Sequence, residues 1–227
     1  MNLAALKGRI LAVGFDLDGT LIDTLPDIAS AANAMLADIG RPSVPIETVR
    51  GYIGDGIARL TKRLLTGTTD GEPGAAEFER ALHVFEHHYF EGVSRDSRPF
   101  PGVPEGLDRM RSAGLRLACV TNKAERFTLA LLRAQSMAGQ FDLVLSGDSL
   151  PRKKPDPLPI LHTCEHFGVT PSEFLFVGDS PNDVAAGKAA GCPVVCVPYG
   201  YTGGQDVRAL GADAIVPGIS DLAVFLA

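Results

Sequence analysis

Residues 11–24, which read LAVGFDLDGTLIDT, decide the fold expected for this 227-residue chain. Residues 10–15 form a short and almost wholly apolar segment, which is typical of a strand buried on both faces of a parallel sheet. The strand ends at once in Asp16, Asp18 and Gly19. Because open α/β sheets bind ligands at the carboxyl ends of their strands, we expect a functional site here.

Asp16 and Asp18 are two residues apart, so in an extended segment their side chains start on the same side. Two carboxylates this close repel each other unless a cation compensates them, and oxygen ligands favour a hard ion such as Mg²⁺. Gly19 permits a sharp turn that brings the backbone close to a ligand. An ordinary acidic turn is the alternative interpretation of these residues taken alone.

The sequence after this strand predicts a helical segment and then a regular α/β alternation. No strand is indicated between residues 24 and 98, where apolar spacing predicts helices over 26–39, over 57–65 and around Phe78 to Tyr89. Polar and proline-rich hinges are expected at 23–26 and 93–101. From residue 98 onward the alternation of strands and helices predicts a parallel, doubly wound sheet. The predicted strands cover residues 115–120, 143–145, 174–177, 194–197 and 214–216, and the predicted helices include 104–113 and 183–190.

Two further segments carry polar residues suited to a phosphate site. Thr121 and Asn122 follow a predicted strand, where a hydroxyl and a free N–H can bind an anion, although a plain helix cap has the same composition. Lys154 could supply a compact positive charge, although paired lysines more often lie in a solvated turn. The proline after it restrains its backbone to an extended conformation.

The fourth segment is another apolar strand that ends in carboxylates, within the sequence FLFVGDSPND of residues 174–183. Asp179 would supply a second carboxylate to a Mg²⁺ ion. Asp183 could orient that ligand or bind the ion through water, and Ser180 lies between the two aspartates.

The four segments, in this order and spacing, resemble the signatures of the haloacid dehalogenase superfamily of phosphotransferases. More narrowly, the chain resembles bacterial phosphoglycolate phosphatases over five stretches. They are Asp16-Leu-Asp-Gly-Thr-Leu-Ile-Asp-Thr24, Arg98-Pro-Phe-Pro-Gly-Val103, Val120-Thr-Asn-Lys123, Val177-Gly-Asp-Ser180 and Tyr199-Gly-Tyr201. The resemblance implies an α/β core with the Rossmann-like sheet of that superfamily, formed by residues 1–23 and 98–227. It also implies an inserted α-helical cap domain over residues 24–97.

The resemblance further implies roles for individual residues. Asp16 would be the nucleophile, and Asp18 would protonate the leaving group and then activate water. Mg²⁺ would be held by the Asp16 carboxylate, the Asp18 carbonyl and the Asp179 carboxylate, with Asp183 and Ser180 in support. The phosphoryl group would be bound by Thr121, Asn122 and Lys154, and Gly19 would lie against the substrate.

The inserted helical segment contains two features that could contact a substrate. The Gly51–Gly56 sequence GYIGDG is the best candidate for a loop that faces the site. Arg59 could pair with a substrate carboxylate, although an exposed helical arginine is the simpler interpretation. His83 and His87 have the i, i+4 spacing of metal ligands, but no third ligand is evident in the sequence. We therefore interpret these two residues and His88 as solvated or interhelical side chains.

Composition limits the partners of the protein. A net charge of −6 and the absence of a basic run argue against binding to nucleic acid or a membrane surface. The four cysteines form no Cys-x-x-Cys pair, and no signal-peptide or membrane-spanning run is present. We therefore expect a cytoplasmic protein without nucleic-acid or membrane partners. The resemblance implies an enzyme, a monomer or homodimer, that acts on a small phosphorylated metabolite.

The reaction that the resemblance implies is Mg²⁺-dependent hydrolysis of 2-phosphoglycolate. The alternatives are a β-phosphoglucomutase-like phosphotransferase, another sugar-phosphate phosphatase and a pyrophosphatase. A dehalogenase would share the fold and the nucleophile Asp16, but it has no need of Asp18 and Asp179. A non-catalytic receiver module would present similar carboxylates without a helical insert of about 70 residues.

Overall fold

The computed structural model describes residues 8–226 and contains a six-stranded sheet flanked by helices. The sheet order is β5-β4-β1-β6-β7-β8, and every pairing within it is parallel. This is the doubly wound α/β fold expected from the sequence. The predicted core also included residues 1–7 and 227, which lie outside the described residues. The strands of the sheet are β1 (Ala12–Phe15), β4 (Arg116–Val120), β5 (Leu143–Leu145), β6 (Phe174–Gly178), β7 (Val194–Cys196) and β8 (Ala214–Ile215).

The central strand β1 is buried on both faces, as its apolar sequence predicts. Val13 and Phe15 pack on one face, while Ala12 lies in the hydrophobic cluster of the opposite face. Gly14 is required at its position because a Cβ atom there would lie 2.5 Å from the ring of Phe174. The helices of this α/β part are α5 (Val103–Ser112), α6 (Glu125–Ala134), α7 (Leu158–Phe167), α8 (Pro181–Ala190) and α9 (Ile219–Leu226).

The strand register aligns the carboxyl ends of β1, β4 and β6. Phe15, the last residue of β1, lies opposite Cys119 on one side and Val177 on the other. The residues that follow these strands therefore meet at one edge of the sheet. They include Asp16, Thr121 and Asp179.

A helical segment separates two short strands that pair with each other. The strands β2 (Ile22–Asp23) and β3 (Arg98–Pro99) are antiparallel. Between them lie α1 (Leu25–Asp38), α2 (Ile46–Tyr52), α3 (Ile57–Thr66) and α4 (Ala75–Gly92), which we call the helical insert. Its hydrophobic cluster also includes Phe127 and Tyr201 from the α/β part.

Helix α2, the strands β2 and β3, and helix α9 were not predicted from the sequence. Helix α2 buries only Val49, so it carries no amphipathic stripe that periodicity could detect. The β2–β3 ribbon has only two residues in each strand, which is too short for an alternation pattern. Helix α9 at the end of the described chain was not assigned either, although it buries Ile219, Leu222, Ala223 and Leu226.

Both predicted hinge segments are held by buried polar contacts. The Tyr201 hydroxyl donates to the Asp23 carboxylate at 2.6 Å and accepts from the Thr24 and Leu25 N–H groups at 2.8 and 2.9 Å. On the other connection, Asp27 of α1 accepts from the Asp96 and Ser97 N–H groups, each at 2.9 Å. It also accepts from the Ser97 hydroxyl at 2.6 Å.

We predict that Asp27→Ala lowers the free energy of unfolding by about 2–4 kcal/mol, because three donors near a buried carboxylate lose their acceptor. Urea denaturation checks this value. Glu91→Ala, at an exposed position of α4, is the control and should change stability by no more than about 0.5 kcal/mol. Equal effects of the two substitutions would contradict the role given to Asp27.

Candidate active site

A pocket of about 580 Å³, including space open to solvent, lies between the carboxyl edge of the sheet and the helical insert. The sheet side of its lining is polar and includes Asp16, Asp18, Lys154 and Asp179. The insert side is largely apolar and includes Ile28, Ile53, Ile57 and Leu60. Thr121 and Asn122 also line the pocket, so residues from all four predicted segments share one concave site.

Lys154 is the positive centre of this site. Its Nζ atom lies 2.8 Å from Asp16 Oδ1 and 2.7 Å from Asp183 Oδ1, and its side chain is only 2% exposed. Burial lowers the pKa of this ammonium group, but the two adjacent carboxylates raise it more, so the net shift is upward. Lys154 therefore stays charged and links β1 to the first turn of α8.

Asp179 is buried at the end of β6 and is held by two donors. The Thr20 hydroxyl donates to its Oδ1 atom at 2.6 Å, and the Tyr201 N–H donates to its Oδ2 atom. Gly19 has a φ of +89°, and a Cβ atom there would lie 2.5 Å from Asp179 Oδ2. The turn after β1 thus needs glycine both for its left-handed backbone and for its close approach to Asp179.

Asp183 orients the start of α8. Its Oδ2 atom accepts from the Ser180 hydroxyl at 2.6 Å and from the N–H groups of Ser180 and Asp179 at 3.0 and 3.2 Å. Since its Oδ1 atom bonds to Lys154, both oxygens are engaged. This arrangement is suited to a supporting residue that fixes Asp179 and Lys154.

The three carboxylates Asp16, Asp179 and Asp183 form a cluster whose oxygens lie within 4.8 Å of one another. Burial raises the pKa of Asp16 to about 6, against the opposing effect of Lys154. Burial, together with the charges of Asp183 and Asp16, raises the pKa of Asp179 well above its usual value. An all-oxygen cluster with this excess of buried negative charge fits a hard divalent cation.

Asp18 has a different partner from Asp16. Both of its carboxylate oxygens lie 2.9 Å from Lys123 Nζ. No role was predicted for Lys123, because its partner Asp18 lies 105 positions earlier in the chain. Its position two residues beyond Thr121, in the same segment, was the available signal.

Thr121 and Asn122, the candidates for phosphate binding, are adjacent in the pocket, and their side chains form hydrogen bonds with other groups of the protein. The Thr121 hydroxyl accepts from the Lys123 N–H at 3.2 Å. The Asn122 side-chain amide donates to the carbonyls of Lys154 and Gly54 at 2.8 and 3.0 Å. Asn122 thereby connects the lysine loop to the helical insert.

The predicted insert loop does face the site, but it is shorter than expected. Gly51 and Tyr52 belong to the end of α2, so the loop begins at Ile53. Asn182 donates to Gly54 O at 3.2 Å and to Asp55 Oδ1 at 2.9 Å. The Lys153 ammonium donates to Asp55 O at 2.6 Å.

Two other candidates in the insert lie in ion pairs within it. Arg59 contacts Glu72 at 2.6 Å and Asp70 at 3.2 Å, with a side chain only 22% exposed, so its interpretation as an exposed helical residue was wrong. His88 contacts Asp38 of α1 at 2.7 Å, which agrees with an interhelical role.

Comparison with known proteins identifies the family. The sequence model of the haloacid dehalogenase-like hydrolases matches residues 13–197. This chain belongs to that family. It is 54% identical over 217 residues to a phosphoglycolate phosphatase from Thiobacillus denitrificans, covering 96% of each chain. It is 56% identical over 210 residues to a phosphoglycolate phosphatase from Nitrosospira multiformis, covering 92% of each chain.

Solved structures of related proteins have the same fold. A predicted phosphoglycolate phosphatase from Haemophilus somnus has a TM-score of 0.90 and 35% identity, with 94% of this chain and 96% of that chain covered. A putative β-phosphoglucomutase from Thermotoga maritima has a TM-score of 0.71 and 26% identity, with 95% and 97% covered. The expected superfamily and the expectation of an enzyme, rather than a receiver module, are confirmed. Among the described residues, every helix is too short or too polar to cross a membrane.

We predict that Mg²⁺ raises the melting temperature of the protein, because the cation compensates the buried carboxylates. At about 100 times its Kd the ion would stabilise the fold by about 2.7 kcal/mol, or about 5–10 °C. Asp179→Asn should reduce this increase by more than half, as measured by calorimetry with and without Mg²⁺. Asp221→Asn, at an exposed position of α9, should keep the full increase. An unchanged melting temperature in the unsubstituted protein would contradict a cation site here.

Proposed function

We propose that this protein is a Mg²⁺-dependent phosphatase that hydrolyses 2-phosphoglycolate to glycolate and phosphate through a phosphoryl group on Asp16. The observation that carries the proposal is the buried Asp16 carboxylate, which lies at the end of the central strand between an ammonium group and two further carboxylates. The names of the curated relatives support the choice of substrate. The partner would thus be a small phosphorylated metabolite.

In the first step, an Asp16 oxygen forms a bond to phosphorus while the bond from phosphorus to the ester oxygen breaks. Asp18 donates a proton to the departing alkoxide, which leaves as glycolate. Lys154, at 2.8 Å from Asp16, would stabilise negative charge on the phosphoryl oxygens during this transfer. The Thr121 hydroxyl and the Asn122 N–H group would bind the same oxygens.

In the second step, the Asp18 carboxylate takes a proton from water as the water oxygen bonds to phosphorus. The bond between phosphorus and Asp16 then breaks, which releases inorganic phosphate and restores Asp16. Because Asp18 gains the proton that it lost in the first step, the cycle returns the enzyme to its starting state.

The Asp16 and Asp179 carboxylates and the Asp18 carbonyl are the groups proposed to hold Mg²⁺. When bound, the ion would screen the charge of the Asp16 carboxylate from that of the phosphate dianion. Asp183 and Ser180 would support these ligands, in keeping with the hydrogen bonds that already engage both Asp183 oxygens. Gly19 would let the backbone of the turn after β1 approach the substrate.

We propose that the helical insert acts as a cap domain over residues 24–97, with residues 1–23 and 98–227 as the core. The contacts of Asn122, Asn182 and Lys153 with the loop at Gly54 and Asp55 support this assignment, because they join the two parts directly over the pocket. Such a cap would exclude water and select the leaving group. A cytoplasmic location and a monomeric or homodimeric state also stay predictions.

A mutase is the second candidate, favoured by the structural likeness to the putative β-phosphoglucomutase of Thermotoga maritima. Incubation with glucose 1-phosphate separates the two reactions. We expect release of inorganic phosphate, if there is any reaction, and no glucose 6-phosphate. Accumulation of that isomer would favour the mutase.

Substitution of the nucleophile tests the covalent step. We predict that Asp16→Asn lowers phosphate release from 2-phosphoglycolate by roughly 10³-fold or more, which is about 4 kcal/mol of transition-state stabilisation. The circular dichroism spectrum should stay unchanged. Turnover near the unsubstituted rate by the folded variant would refute catalysis through Asp16.

A phosphate-release screen with Mg²⁺ tests the substrate. Among 2-phosphoglycolate, sugar phosphates, nucleotides and pyrophosphate, we expect the highest kcat/KM for 2-phosphoglycolate. A clearly higher kcat/KM for another compound in the screen would refute 2-phosphoglycolate as the preferred substrate, but it would not refute phosphatase activity.

A further inference from the structure

Lys123 forms a second buried ammonium–carboxylate pair in the pocket, separate from that of Lys154. Its Nζ atom lies 2.9 Å from each oxygen of Asp18, so one ammonium group spans the whole carboxylate. The Lys123 side chain is 2% exposed and that of Asp18 is 15% exposed. This pair is therefore shielded on the lysine side and open to the pocket on the aspartate side.

The backbone of Lys123 is fixed at three points. Its N–H donates to the Thr121 hydroxyl at 3.2 Å, and its carbonyl accepts from the Gly147 N–H at 2.8 Å and from the Thr128 hydroxyl at 3.2 Å. The ammonium group thus extends from a rigid anchor at the end of β4. Such an anchor can hold Asp18 in one orientation at little further entropic cost.

A residue of the helical insert completes the environment of this ammonium group. The ring of Tyr89, from α4, lies with its centroid 4.7 Å from Lys123 Nζ, and Tyr89 is fully buried. A cation and an aromatic face at this distance attract each other. The insert therefore contacts the group that holds Asp18.

We propose that Lys123 is a positioning residue that holds the Asp18 carboxylate where it transfers protons, with Tyr89 holding Lys123 in turn. This inference rests on the proposed function, in which Asp18 protonates the leaving alkoxide and then deprotonates water. The two lysines accordingly have separate tasks: Lys154 contacts the nucleophile Asp16, and Lys123 contacts the acid–base residue Asp18.

The test compares substrates whose leaving groups differ in their need for a proton. In Lys123→Met, we expect kcat/KM for 2-phosphoglycolate, or for whichever alkyl phosphate the unsubstituted protein hydrolyses best, to fall by about 10²-fold. With p-nitrophenyl phosphate the leaving phenolate needs no proton, so the rate of phosphoryl transfer to Asp16 should stay close to that of the unsubstituted protein. Slow hydrolysis of the phosphoryl enzyme should then produce a burst of one nitrophenolate per enzyme, followed by slow turnover.

Three comparisons separate positioning from a general loss of structure. In the Asp18→Asn background, Lys123→Met should cause no further loss of kcat/KM, because Lys123 acts through Asp18. Lys188→Met removes a lysine that pairs with Asp213 away from the pocket. This substitution should leave kcat/KM for both substrates unchanged. Lys123→Arg should recover part of the activity.

Equal losses with both substrates and no burst, or a further loss in the Asp18→Asn background, would overturn the inference. So would full activity of Lys123→Met. Failure of the proposed phosphatase function has a different signature, since the unsubstituted protein would then release no phosphate from any monoester.

Discussion

The Lys154 ammonium group between Asp16 and Asp183 is the interaction on which the rest of the site depends. The Lys154 side chain is only 2% exposed, and a charged group so deeply buried is tolerated only where opposite charges and hydrogen bonds compensate its desolvation. Those partners come from the end of β1 and the first turn of α8. The parallel register that places Phe15 beside Val177 therefore brings together the chain segments that this lysine requires.

The same arrangement explains why a cation fits the site. One ammonium group faces three carboxylates whose oxygens lie within 4.8 Å of one another, and burial raises the pKa of Asp16 and Asp179. The cluster is thus short of positive charge at the point where a phosphate dianion would have to approach. A divalent ion bound by these carboxylates would remove that deficit.

The sequence predicted the sheet and most site candidates because both depend on local signals. Two of the buried strands are recognisable in the sequence as apolar runs that end in carboxylates. One run is followed by Asp16 and Asp18, and the other by Asp179 and Asp183. Lys123 had no such signal: its importance comes from Asp18, 105 positions earlier, and from Tyr89 in another helix. Helix α2 and the contacts of Tyr201 with the β2–α1 connection likewise depend on tertiary packing, which periodicity does not report.

A crystal structure of the protein with Mg²⁺ and beryllium fluoride, a mimic of a phosphoryl group, is the most direct measurement of the central claim. It should show beryllium bonded to an Asp16 oxygen, with Mg²⁺ bound by the Asp16 and Asp179 carboxylates and Lys154 beside the fluorines. Beryllium bonded to another side chain, or a Mg²⁺ ion that contacts neither aspartate, would contradict the account.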